Sequence, residues 1–99
     1  TDATMADIKI LEAFECTEVG GLKRPLLVAR AKSGAGFAAC AYVDPATAEK
    51  LGEACVIFSG VSTCADFLTS DVKNVNARAA ALGIVVGMPG GEALEKLAR

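Results

Sequence analysis

Phe37-Ala38-Ala39-Cys40-Ala41-Tyr42-Val43-Asp44-Pro45 is where the chain changes character. Up to Val43 the residues alternate as a strand does. Phe37, Ala39, Ala41 and Val43 share one face, and Ala38, Cys40 and Tyr42 share the other. Asp44 is then a good helix N-cap, Pro45 suits the first helical position, and Gly52 suits the position just past the helix end. This spacing predicts a strand over 37–43 and a helix over 45–51. Such a helix has barely two turns and is not stable alone, so it must pack on a sheet.

Toward the N-terminus, residues 8–18 and 22–32 read as two strands around Val19-Gly20-Gly21. A Gly-Gly pair supplies the positive φ of a tight hairpin. Pro25 falls near the start of the second strand, where a missing N–H is tolerated. Leu26-Leu27-Val28-Ala29 is continuously apolar, which places that strand inside the sheet. Ser33-Gly34-Ala35-Gly36 is the next turn, so the first three strands form an antiparallel meander. Residues 1–7 are expected to be disordered or carried over from expression, with Met5 a candidate native start, and 8–99 to be a single domain.

Toward the C-terminus the elements mix. A strand is expected over 54–59, and Gly60-Val61-Ser62 turns the chain. Thr63 caps a short helix reaching about Thr69, and Asp66 three residues later makes a capping-box pattern with Asp in place of Glu. Residues 71–75 fit a short strand or a loop. Asn76 caps a helix over 77–82 that Gly83 ends, Ile84 to Gly87 reads as a short strand, and a final helix covers 92–98. Ala48-Glu49-Lys50-Leu51-Gly52 and Ala79-Ala80-Ala81-Leu82-Gly83 share Ala-x-x-Leu-Gly, which a common helix-ending device explains better than a true repeat. Strands first and mixed elements later give an α+β fold, a two-layer α/β sandwich with short helices on one face of the sheet.

Composition narrows the function. The 99 residues are 53% hydrophobic, with mean hydropathy +0.42. Alanine supplies about a fifth of them, well above ordinary usage. A thin alanine-rich core with this apolar excess points to association between copies through the open sheet face. No apolar run approaches the ~18 residues of a membrane span, and no basic-then-apolar signal pattern opens the chain. The cytoplasm is the expected location. Net charge is −2, with ten cations and twelve anions interspersed and only five aromatics. A nucleic-acid binder wants clustered Lys and Arg on one face, so no nucleic-acid partner is expected.

The chain contains no histidine. Ser-His-Asp and Cys-His catalysis within one chain are excluded, as is a zinc site built with His. Cys16, Cys40, Cys55 and Cys64 lack the paired spacing of common zinc ligands. No metal and no cofactor is expected, and whether the chain is an enzyme stays open. Four cysteines allow two disulfides in three pairings in a secreted protein. Apolar neighbours favour free buried thiols in a reducing cytosol. No phosphate-binding loop of the Gly-x-x-x-x-Gly-Lys-Ser/Thr kind is present.

Two loops lead into helix N-termini, where free N–H groups welcome anions. The candidate ligand-binding residues are Gly60, Ser62 and Thr63 in one and Gly87, Gly90 and Gly91 in the other. The competing view is that both are ordinary capped turns. Cys64, in the first turn of its helix, and Cys40 are candidate reactive thiols; Asp66 opposes thiolate formation at Cys64. Arg30 and Lys32 fall on one strand face and are expected to meet water, as are Glu49 and Glu53.

Gly36 to Val43, Ala48 to Gly52, Gly60 to Thr63 and Ala79 to Leu94 together, in this order and spacing, resemble the YunC-like family of small bacterial and archaeal proteins, a domain of unknown function (DUF1805). The resemblance spans roughly residues 20–98. It implies a two-layer α/β sandwich and brings no established activity, cofactor or catalytic set. The Cys40 position and the Gly87-Met88 loop match places where family members look alike, and Ala41 stands where a Gly is usual. The function these features favour is a self-associating structural or interaction domain. The alternative is a small anionic-metabolite binder or enzyme using the Gly60–Cys64 and Gly87–Gly91 loops.

Overall fold

A computed structural model describes residues 5–23 and 26–98. β1 (Phe14–Val19), β2 (Leu26–Ala31) and β3 (Gly36–Cys40) form the expected antiparallel meander. The Asp44-Pro45 signal starts α2 (Pro45–Leu51), and the Asp44 carboxylate accepts the Ala46 N–H at 2.9 Å. α2 is the crossover that lets β4 (Ala54–Phe58) lie parallel to β3. β5 (Asn74–Val75) closes the sheet antiparallel to β4, so the strands run in chain order across it. Gly36 is required at the β3–β4 contact, because a Cβ there would stand 2.3 Å from the Ala54 carbonyl oxygen.

α1 (Met5–Glu12), α3 (Asp66–Thr69) and α5 (Gly90–Ala98) pack on one face of this sheet. Ile10, Phe67, Leu68, Leu94 and Leu97 meet Leu27, Ala29, Ala31, Ala38, Cys40, Val56 and Phe58 there. The Phe58 and Phe67 rings lie 5.1 Å apart at 51°. The α+β architecture read from the sequence is the one found. α2 sits on the other face, where Ala48 covers Ala39, Cys55 and Ile57. The rest of that second face stays open.

The two Ala-x-x-Leu-Gly segments end their helices identically. Gly52 and Gly83 both have a left-handed φ, +83° and +90°. Gly52 donates to the Glu49 carbonyl and Glu53 to that of Ala48; Gly83 donates to Ala80 and Ile84 to Ala79. Each is the paired-bond ending that left-handed glycine makes possible. The second ends α4 (Ala77–Ala81), which the Asn76 side chain caps at Ala79 as expected.

Three expectations are corrected. Residues 8–12 are the end of α1, not the start of a strand. The segment from Met5 to Glu12 contains neither Gly nor Pro, and Ile10 packs it on the core; tertiary packing outweighs the β-preference of its isoleucines. Ala41 to Val43 form a turn instead of continuing β3, with the Val43 N–H bonded to the Cys40 carbonyl at 3.1 Å. Ile84 to Gly87 is a turn as well: Ile84 is buried, but Val85 and Val86 are exposed, and Met88 N–H closes on the Val85 carbonyl. Pro25 lies outside the described residues.

Candidate functional site

The register sorts the side chains into two faces. On the open face one row runs Glu15, Arg30, Phe37, Cys55, and the next runs Thr17, Val28, Ala39, Ile57. α2 covers the far end of both rows and leaves the near end uncovered. Val28, Phe37 and Val43 floor a cleft of about 480 Å³ rimmed by Arg30 and Glu53. A second hollow beside it, bounded by Asp44, Thr47 and Leu51, shares Phe37, Val43 and Glu53. Leu51 at its rim is 72% exposed. Arg30, expected to face water, pairs with Glu15 across the strands.

The helix-side face carries the rows Phe14, Ala31 and Cys16, Ala29, Ala38, Val56. β1 is an edge strand, and beyond Phe14 its residues are exposed. Cys16 emerges there and is disulfide-bonded to Cys64, which comes from the turn before α3, 48 residues away in sequence. The Cα separation of 6.4 Å falls within the span a disulfide bridges. Glu18, two residues along β1, brings a carboxylate oxygen within 4.8 Å of both sulfurs. Cys40 and Cys55 are free and buried. The expectation of free buried thiols therefore holds for these two and is corrected for Cys16 and Cys64. Edge exposure of Cys16 was not readable from its neighbours, and spacing alone does not bring a β1 residue to the α3 turn.

The two free thiols sit in protective surroundings. Cys40 Sγ accepts the Leu27 N–H at 3.4 Å. Burial, reinforced by the Asp44 and Glu53 carboxylates, pushes the Cys55 thiol up to about 11. A thiol raised this far is almost wholly protonated at neutral pH and is a poor nucleophile.

The two candidate anion loops flank α3 at its opposite ends. In the first, Ser62 and Thr63 donate their N–H groups to one oxygen of Asp66, at 2.9 and 3.0 Å. These two bonds hold the Asp66 carboxyl below its ordinary value. The carboxylate occupies the position an incoming anion would take. The Thr63 cap expected from the sequence is corrected: α3 starts later, with Ala65 at its N-cap and no side-chain cap bond, and Asp66 instead reaches back to the preceding turn. In the second loop, Gly87 donates to the Val72 carbonyl, Val72 to that of Met88, and Gly90 to that of Ser70. Gly90 is buried where α5 meets α3, whereas Gly91 is half-buried against Leu68. Glu49 is drawn into structure too, accepting the Arg78 N–H at 3.1 Å and pairing with its guanidinium.

The model of the domain of unknown function DUF1805 matches residues 39–97, more than half of the chain. The chain belongs to this family. Its structure is similar to that of TA1206 from Thermoplasma acidophilum, a protein of unknown function, with a TM-score of 0.71 and 28% identity. That match covers 85% of this chain and 90% of the other. No curated protein matches it. The DUF1805 match runs from the end of β3 to α5 and so contains both α3-flanking loops, Cys40, Cys55 and Cys64. Cys16, Glu18, Val28 and Arg30 precede it.

Proposed function

We propose that this DUF1805 domain is a cytoplasmic structural or interaction module that associates with further copies of itself through the open sheet face. The observation that carries this reading is the cleft floored by Val28, Phe37 and Val43 with Arg30 on one side and Glu53 on the other. An isologous contact repeats one patch on both partners in opposite sense. Arg30 of one copy then meets Glu53 of the next while the apolar floors face each other. Aromatic and aliphatic cores with a charged rim are what protein interfaces use. The loops proposed for small anions favour this reading over a metabolite site, because their N–H groups already bond to Asp66 and Ser70. Among the described residues no helix is long and apolar enough to cross a membrane.

Light scattering against concentration tests it. The wild-type chain should exceed monomer mass, and Val28→Glu should reduce it to monomer with unchanged circular dichroism. Val28 is only half-buried at the cleft floor, so the new carboxylate can reach solvent within one subunit and the fold tolerates it. A wild-type monomer at high concentration sinks the reading.

A further inference from the structure

Away from the open face, three side chains with metal-binding chemistry converge. Alternation along β1 puts Cys16 and Glu18 on one side, opposite Ala29 and Leu27 of the helix-side core. Cys64 reaches them from the turn before α3. One ligand atom from each lies within 4.8 Å of the others. Cys16 and Glu18 are exposed and Cys64 is half-buried, so solvent and ions have access. Glu18 has no hydrogen-bond or ion-pair partner among the described residues.

We propose that reduction of the Cys16–Cys64 bond opens a divalent-cation site of the zinc class, formed by the two sulfurs and the Glu18 carboxylate. A dithiol reductant delivers two electrons and two protons to the S–S bond, leaving as its own disulfide and yielding two thiols. Each thiol then releases its proton to solvent as it binds the cation, since the thiolate is the ligand. Two thiolates and one carboxylate place three negative charges around a 2+ ion. Sulfur ligands select zinc over magnesium or calcium. Three protein ligands leave the fourth tetrahedral position to water, the arrangement of open zinc sites. Disulfide and cation compete for the same two sulfurs, so occupancy follows the thiol redox state. In a reducing cytosol, where disulfides are usually transient, the open form prevails.

Histidine is not needed for this site, and neither is close sequence spacing. One cysteine comes from a strand edge and the other from a distant turn, which is why the pattern of common zinc motifs misses it. The site is independent of the open-face contact and stands or falls separately.

Cobalt(II) titration of the reduced full chain tests the proposal, with zinc as the competing ion. The reduced protein should bind one equivalent of cobalt with a thiolate-to-cobalt charge-transfer band that zinc abolishes. The oxidised protein should show no band. Glu18→Gln leaves both sulfurs and the disulfide in place and should weaken binding by at least ~10-fold, since even an indirect partner of a ligand is worth that much. A paired Cys16→Ser, Cys64→Ser variant should lose the band. The proposal is overturned if the reduced, folded protein shows no band. It is equally overturned if the paired variant keeps the band, which assigns the metal to Cys40 or Cys55, or if Glu18→Gln titrates like wild type. A reduced chain that loses its circular dichroism and does not regain it with zinc also overturns it.

Discussion

Asp66 Oδ2 lies 3.0 Å from the backbone nitrogen of Thr63 and receives its hydrogen bond, with the Ser62 N–H joining at 2.9 Å. The carboxylate three residues into the turn thus closes it from within. A side chain that binds two backbone N–H groups both satisfies donors that α3 cannot and fixes the turn that carries Cys64.

Asp66→Ala should destabilise the domain by roughly 0.5–1 kcal/mol, the lower part of the range for a lost cap, because solvent screens this exposed group. The urea midpoint should fall with an unchanged slope. The pH dependence has a definite sign. The folded state holds this carboxyl below its ordinary 3.8. Its contribution is therefore full above that value and disappears as pH falls through the lower folded value. The stability gap between wild type and Asp66→Asn should narrow on acidification below about pH 4. A gap independent of pH would mean that the charge contributes nothing.

Gly90 and Gly91 are neighbours with opposite tolerance. A Cβ on Gly90 would stand 1.7 Å from the Phe67 carbonyl oxygen and 2.6 Å from that of Ser70, both backbone atoms. On Gly91 the nearest atom is 3.7 Å away. Gly90→Ala should therefore cost about 3 kcal/mol or more, as overpacking against immovable atoms does. Gly91→Ala should be neutral or stabilise by up to ~1 kcal/mol, because alanine suits a helix better than glycine. Thermal melts of the two variants side by side make the comparison; equal melting points would contradict the close approach of α5 to α3.

How far the sequence revealed this arrangement depends on the range of the forces involved. Local signals were legible: the Asp44-Pro45 start, the Gly52 and Gly83 endings, and the alternation of Phe37 and Ala39 against Ala38 and Cys40 all appear as read. Segments decided by tertiary contact were not. Ile8 to Glu12 carries β-favouring isoleucines, yet its helix is held by α5 and the sheet. Val85 and Val86 look strand-like, yet among the described residues no strand pairs with them. The α3-flanking loops were legible as turns rich in Gly, Ser and Thr. What one-dimensional reading lacked was that Asp66 and Ser70 would already accept those N–H groups. The meeting of Cys16 with Cys64 depends on where α3 docks, and spacing carries no trace of that.

Asn76 is the one buried polar residue of the described core, and it joins three elements. Its oxygen accepts the Cys55 N–H at 3.1 Å and the Ala79 N–H at 2.9 Å, while its amide nitrogen donates to the Glu53 carbonyl at 2.7 Å. Asn76→Ala leaves a buried donor on β4 and the first turn of α4 without partners. An unsatisfied buried group costs about 1–3 kcal/mol, so a loss of roughly 2–4 kcal/mol is expected. Asn76→Asp keeps the acceptor but aims a carboxylate at the Glu53 carbonyl, and should rescue only part of the loss. Denaturant titration of both variants checks the order; equal loss in the two would place the whole effect on the donor side.

Reduction of the Cys16–Cys64 bond releases β1 from the α3 turn. Closing a loop of this separation, 48 residues, contributes about 4 kcal/mol by chain entropy, and measured values usually run ~2–4 kcal/mol. For a domain of this size each kcal/mol moves the melting point by about 4–8 °C. Reduction without added metal should thus lower Tm by about 10–30 °C. A melt followed by circular dichroism, with and without a phosphine reductant, reads this directly. Cys55, held up to about 11 by burial, should stay unmodified by a thiol reagent at neutral pH until the chain unfolds. Early loss of both buried thiols in the reduced protein would show that the bond holds the helix layer onto the sheet as a whole. Protection that survives reduction would confine its effect to the β1 edge.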